Sequence, residues 1–144
     1  MPYPEEWVRP GREELTRIGF DELKNAEDVD AVLSQKSGSV LLVVNSICGC
    51  AAGRCRPGVA DALSKAPQPD QRVSVFAGQD LEATAQARNY LLPFPPSSPS
   101  IALLNDGKLV FMLERHQIES REAPAISADI QAALNEYCRT SQEV

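Results

Sequence analysis

No apolar run in the 144-residue sequence exceeds five residues, so nothing approaches the ~20 that a helix needs to cross a bilayer. An excess of positive charge is also missing. Against 20 acidic residues there are 14 basic ones, and the net charge of −6 excludes the positive field that nucleic acids or anionic lipid surfaces require of a partner. No glycine-rich phosphate loop and no Gly-x-Ser-x-Gly elbow is present, so those nucleotide-binding and acyl-transfer signatures are lacking. Four cysteines are too few to build a disulfide scaffold. The first residues, MPYPEEW, are acidic where a secretory signal would be basic, and no apolar core of signal length follows. These absences predict a cytoplasmic chain. In that compartment neighbouring cysteines more often mean redox chemistry or a metal than a structural staple.

What is present fits one globular domain, by length and by a hydrophobic content of 43%. Helices are expected from Pro4 to Ile18, interrupted or restarted at Pro10, and from Ala26 to Gln35, capped by Asn25 with Val29, Val32 and Leu33 on one face. The unbroken run Val40 to Val44 reads as a strand covered on both faces. A helix from about Cys50 to Lys65, a strand at Val73 to Phe76 and a helix through Leu81, Ala85, Arg88 and Leu92 follow, with Asp80 at the first turn of the last. Asp106-Gly107 between two apolar runs predicts a hairpin with a type I′ turn. Ile126, Ile130, Ala133, Leu134 and Tyr137 form the stripe of a terminal helix. The order β-α-β-α-β-β-α implies an α/β domain with a mixed sheet of about four strands and helices on both faces, and it resembles the order of elements in thioredoxin-like domains. Residues 39–144 would form the core and 1–38 a helical N-terminal extension.

Cys48, Cys50 and Cys55 cluster where the first core strand meets its helix, and Cys138 lies far away in sequence. A thiol exchanges as the thiolate, and a helix N-terminus lowers its pKa through unpaired N–H groups and the dipole. Cys48 and Cys50 are therefore the candidate catalytic pair. Gly49 between them leaves room for a bulky partner and freedom to take positive φ. A disulfide spanning so small a ring would be strained and readily reduced, which suits turnover. Cys55 reads as a packed core residue or as a resolving thiol, and Cys138 as structural. Arg54 and Arg56 either add positive charge near the pair or point to solvent. Two rival classes are a cysteine-ligated metal or iron-sulfur carrier, although the spacing matches no common pattern, and a binding module that keeps the fold without turnover. The scattered carboxylates read as solvated faces, and the lone His116 as a surface or satisfied histidine. Trp7 reads as a packing anchor or as part of a self-association surface, hence a possible homodimer.

The segment Asn45-Ser46-Ile47-Cys48-Gly49-Cys50-Ala51-Ala52-Gly53 resembles the bacilliredoxin family, thioredoxin-like proteins of bacteria with a Cys-Gly-Cys motif. The resemblance spans nearly the whole chain. It includes Arg9-Pro10 with Arg12-Glu13-Glu14-Leu15-Thr16, Arg56-Pro57, Val75-Phe76-Ala77-Gly78-Gln79-Asp80, Pro96-Ser97-Ser98-Pro99-Ser100 and Arg115-His116. It implies a thiol-disulfide oxidoreductase that reduces mixed disulfides between proteins and the low-molecular-weight thiol bacillithiol, with no bound cofactor and the small thiol as co-substrate. A general disulfide reductase or isomerase is the nearest alternative. The resemblance further implies that Cys48 attacks, that Cys50 can resolve, and that Ser98-Pro99 matches the cis-proline segment opposite the reactive cysteines, where substrate binds. Cys55 departs from the non-cysteine residues associated with its site, which leaves open whether Cys50 or Cys55 resolves Cys48.

Overall fold

A computed structural model of the protein describes residues 3–138. In chain order the elements are α1 (Glu5–Thr16), β1 (Asp21–Glu22), α2 (Ala26–Leu33), β2 (Ser39–Asn45), a π-helical turn (Ala51–Cys55) running into α3 (Arg56–Lys65), β3 (Gln71–Phe76), α4 (Leu81–Asn89), β4 (Ser100–Asn105), β5 (Lys108–Leu113), α5 (Arg115–Glu119) and α6 (Ala123–Tyr137). The sheet order is β1-β3-β2-β4-β5. Strand β2 is parallel to β3 and antiparallel to β4, and β5 closes the sheet antiparallel to β4. This is the thioredoxin-like α/β arrangement.

The VLLVV run explains why β2 is central. Every residue of β2 is buried, and its side chains alternate between two separate cores. Leu41 and Val43 meet α3 and α6 through Val59, Ile126 and Ile130, while Val40, Leu42 and Val44 meet α2 and α4 through Val29, Leu33, Ala83 and Ala87. Helices α3 and α6 approach closely because Gly58 lies at their contact, where an added Cβ would stand 2.8 Å from Ile126 Cγ2. Gly58→Ala is expected to destabilise the fold by about 1–3 kcal/mol through overpacking, as measured by urea denaturation.

Several expectations are met. Asn25 Oδ1 accepts from the Asp28 backbone N–H at 2.9 Å, capping α2. Asp106 and Gly107 take φ of 54° and 81°, as a type I′ turn requires. Other expectations are corrected. The sheet adds a fifth strand to the about four expected, because β1 pairs with β3 at the edge, so the segment between α1 and α2 carries a short strand. Helix α1 runs through Pro10 without a break, and Glu6, whose carbonyl loses its usual i+4 donor there, lies on the exposed side. Asp80 lies at the start of α4 as expected, and its carboxylate bonds Arg12. Glu5, Glu22 and Asp80 all converge on that buried guanidinium, so these carboxylates are not a solvated face. Trp7 is no packing anchor: it is 61% exposed and lies tilted against Tyr3, ring centroids 6.4 Å apart. No helix among the described residues is long and apolar enough to cross a membrane.

Candidate active site

Strand β2 ends at Asn45, and Gly49 and Cys50 are already helical, so Cys48 occupies the N-cap of a helix that continues through the π turn into α3. Its carbonyl accepts the first helical bonds, from Ala51 N at 3.1 Å and Ala52 N at 3.4 Å. An N-cap side chain accepts from the second and third N–H groups of its helix. Here those belong to Cys50 and Ala51, and the acceptor is sulfur. Burial pushes the Cys48 thiol up, but the Ser46 hydroxyl, the Ala51 and Cys50 N–H groups and the Cys50 thiol outweigh it and hold it below its ordinary value. Cys50 shifts the opposite way. Burial, the charge on Cys48 and the hydrogen bond to Cys48 raise its thiol, Glu119 adds to this, and Arg115 opposes it. The two sulfurs are therefore unequal: Cys48 is favoured as a thiolate, and Cys50, whose thiol donates to Glu119 Oε2, is disfavoured as one.

The remainder of the site comes from the other end of the chain. Ser98-Pro99 is a cis peptide, as the resemblance implies, and Leu92-Pro93 is a second. The Ser98 carbonyl accepts from Arg115 Nη1 at 3.1 Å, and Arg115 Nε donates to Glu119 Oε2 at 3.1 Å. That same oxygen lies 3.9 Å from Cys50 Sγ. The Arg115 guanidinium is held above its ordinary value chiefly by Glu119 and then by the charge of Cys48, so the cation facing the sulfurs comes from α5. Arg54, one of the two arginines considered for that role, turns to Glu122 at 3.3 Å. Arg56, the other, is 6% exposed and reaches beneath the loop that precedes Cys48.

Gly49 lies in the helix without a positive φ, and an added Cβ would meet nothing within 4 Å. Its smallness opens space over the sulfurs, and the conformational role expected of it is not used. The π turn has a local cause: Pro57 has no N–H and its ring crowds the carbonyl four residues back, so the helix widens just before it.

Cys55 is fully buried in the core between α3 and α6, with its thiol pushed up to about 12 by desolvation. Cys138 is buried beside Ser39, at the start of β2, whereas Cys48 follows the end of that strand, roughly 20 Å away at the usual strand rise. Among the described residues no three His, Cys, Asp or Glu side chains converge to hold a metal ion. Sequence reasoning missed Arg115, Glu119, Asn45 and Ser46 as site residues. Ser46 sits two before Cys48, the spacing of a side-chain cap, and could have been found; Arg115 is brought in only by the tertiary fold.

A thioredoxin-like sheet with two free, unequal thiols at the strand-to-helix junction and a cis-proline segment beside them defines the class, a thiol-disulfide oxidoreductase. Within that class the chain belongs to the bacilliredoxin family: a family model described as Disulphide isomerase matches residues 3–138, and full-length relatives carry the bacilliredoxin name. A bacilliredoxin of Salinibacter ruber is 54% identical over 140 residues, covering 96% of this chain and 81% of the relative. One from Koribacter versatilis is 49% identical over 136 residues, 94% of each chain, and one from Geobacillus kaustophilus is 50% identical over 138 residues, 96% of this chain and 94% of the relative.

Proposed function

We propose that the protein reduces mixed disulfides between cytoplasmic proteins and a low-molecular-weight thiol, bacillithiol, with Cys48 as the attacking group and Cys50 as the resolving one. The observation that carries this is the N-cap position of Cys48, where the helix end, Ser46 and the Cys50 thiol all favour its thiolate while Gly49 leaves the approach open. The Cys48 thiolate attacks the small-thiol sulfur of the mixed disulfide. A Cys48–small-thiol disulfide forms, the S–S bond between the small thiol and the substrate protein breaks, and the protein thiolate leaves and takes a proton from water. Cys50 then loses its proton and attacks Cys48 Sγ, forming the Cys48–Cys50 disulfide and releasing the small thiol. Two electrons from an external thiol reductant restore both cysteines.

Cys55 has no part in this scheme, since a fully buried thiol held near 12 neither ionises at neutral pH nor meets an exposed disulfide. A cysteine-ligated metal carrier finds no support in the placement of Cys138, which lies at the opposite end of β2 from Cys48. The test compares wild type and Cys55→Ala on a protein carrying a bacillithiol mixed disulfide and on a peptide disulfide, with products weighed by mass spectrometry. The expected result is faster reduction of the mixed disulfide by both proteins. Equal rates on the two substrates would favour a general reductase or isomerase, the latter being the activity for which the matching family is named.

A further inference from the structure

Beneath the loop Ser46–Cys48 lies a buried polar cluster that the exchange scheme does not use. Arg56 Nη1 donates to Asn45 Oδ1 at 2.9 Å and to the Ser46 carbonyl at 3.1 Å, while its Nε meets Glu14 Oε1 at 3.0 Å. Asn45 Oδ1 also accepts the Ser46 N–H at 2.9 Å, and Asn45 Nδ2 donates to the Gly11 carbonyl at 3.1 Å. Ser46 Oγ in turn accepts the Cys48 N–H at 3.2 Å. Asn45, Ser46 and Arg56 are all buried, although residues of these types are mostly exposed and a buried guanidinium is costly unless it is paired and hydrogen-bonded. Packing alone does not call for an arginine here. Every polar atom of Ser46, N, O and Oγ, is committed to Asn45, Arg56 or Cys48.

We propose that Arg56 is a positioning residue for the exchange reaction: by holding the Ser46 carbonyl and Asn45 from below, it fixes the Ser46 hydroxyl against Cys48. The planar guanidinium is suited to this because it can serve two loop acceptors on one side and a carboxylate on the other, which a lysine ammonium cannot reproduce in one geometry. Helix α1 anchors the device through Glu14 and Gly11, tying the N-terminal segment to the reactive loop. Arg56 acts through geometry, with its own charge shared with Glu14. The titratable and charged groups that face Cys48, namely Cys50 and Arg115, lie outside this cluster. The inference rests on Cys48 being the activated thiol.

The experiment titrates thiolate absorbance near 240 nm in a Cys50→Ala background. Cys55 ionises near 12 and Cys138 is raised, so Cys48 dominates the signal below pH 9. Arg56→Lys, which keeps the charge, and Ser46→Ala are each expected to reduce the thiolate fraction below the midpoint by about three- to tenfold, half to one pH unit. Combining them adds nothing further, and Ser46→Thr restores the midpoint. Glu14→Gln, on the solvent side of the cluster, gives a smaller rise of the same sign and covers the case in which Arg56→Lys does not fold. An unchanged midpoint in Arg56→Lys or, should that variant not fold, in Glu14→Gln, or additive effects in the double variant, would overturn the assignment. An ordinary thiol midpoint near 8.5 in the parent protein would instead refute Cys48 as the activated thiol.

Discussion

Replacing Cys48 by alanine is expected to lower mixed-disulfide reduction by on the order of 10³-fold or more, because no other described thiol combines an open approach with a favoured thiolate. Cys50 stands in the same opening, but its thiol is raised and donates to Glu119. Cys50→Ala should behave differently. The first attack survives, the released protein appears, and the enzyme accumulates with the small thiol attached to Cys48, a mass increase that a single-turnover experiment with mass spectrometry detects. A Cys48→Ala protein that keeps wild-type turnover would remove Cys48 from the chemistry.

The largest structural effect is expected at Arg12. Its guanidinium, 7% exposed, binds Glu5 at 2.9 Å, Glu22 at 2.6 Å and Asp80 at 2.7 Å, and lies 5.2 Å from the centroid of the Phe76 ring. It thereby joins α1, β1 and the turn into α4. Arg12→Ala leaves three carboxylates crowded around a cavity, and the expected loss is about 3 kcal/mol by urea denaturation, the lower end for a broken buried ion pair because Glu5 is half-exposed and rehydrates. Arg12→Lys should fall between, keeping the charge and losing the fork. The pH dependence has a definite sign. The hydrogen bond to Arg12 is the largest influence on Glu5 and, against burial, holds its carboxyl below the ordinary 4.5. Its contribution is therefore present above pH 4.5 and is lost as pH falls through the lower folded value. Wild type should lose stability over that acidic window, and Arg12→Ala should lose less there.

The parts of this protein that were legible in its sequence are those decided by local pattern. Five consecutive branched or leucyl residues at Val40 to Val44 can be buried only between two helical layers, and Asp106-Gly107 can take the φ values of its turn almost alone. Cys-Gly-Cys after a strand announces a thiol site for the same reason. The illegible parts depend on distant partners. Strand β1 is two acidic residues whose strand form comes from pairing with β3, with no apolar alternation to mark it. Arg56 looks like a surface residue until Asn45 and Glu14 are seen to surround it, 11 and 42 positions away. Arg115 belongs to the site only because β5 ends beside the Ser98 carbonyl. The carboxylates Glu5, Glu22 and Asp80 share one arginine across 75 positions of chain, which no spacing rule reveals.

The unequal pair is the centre of the account, and the alkylation rate of each of the four cysteines against pH, resolved by peptide mass spectrometry on the folded protein, tests it most directly. Cys48 should react first, with a midpoint below the ordinary thiol value, followed at higher pH by Cys50, with Cys55 and Cys138 protected until the protein unfolds. Reaction of Cys50 or Cys55 ahead of Cys48 at neutral pH would contradict it.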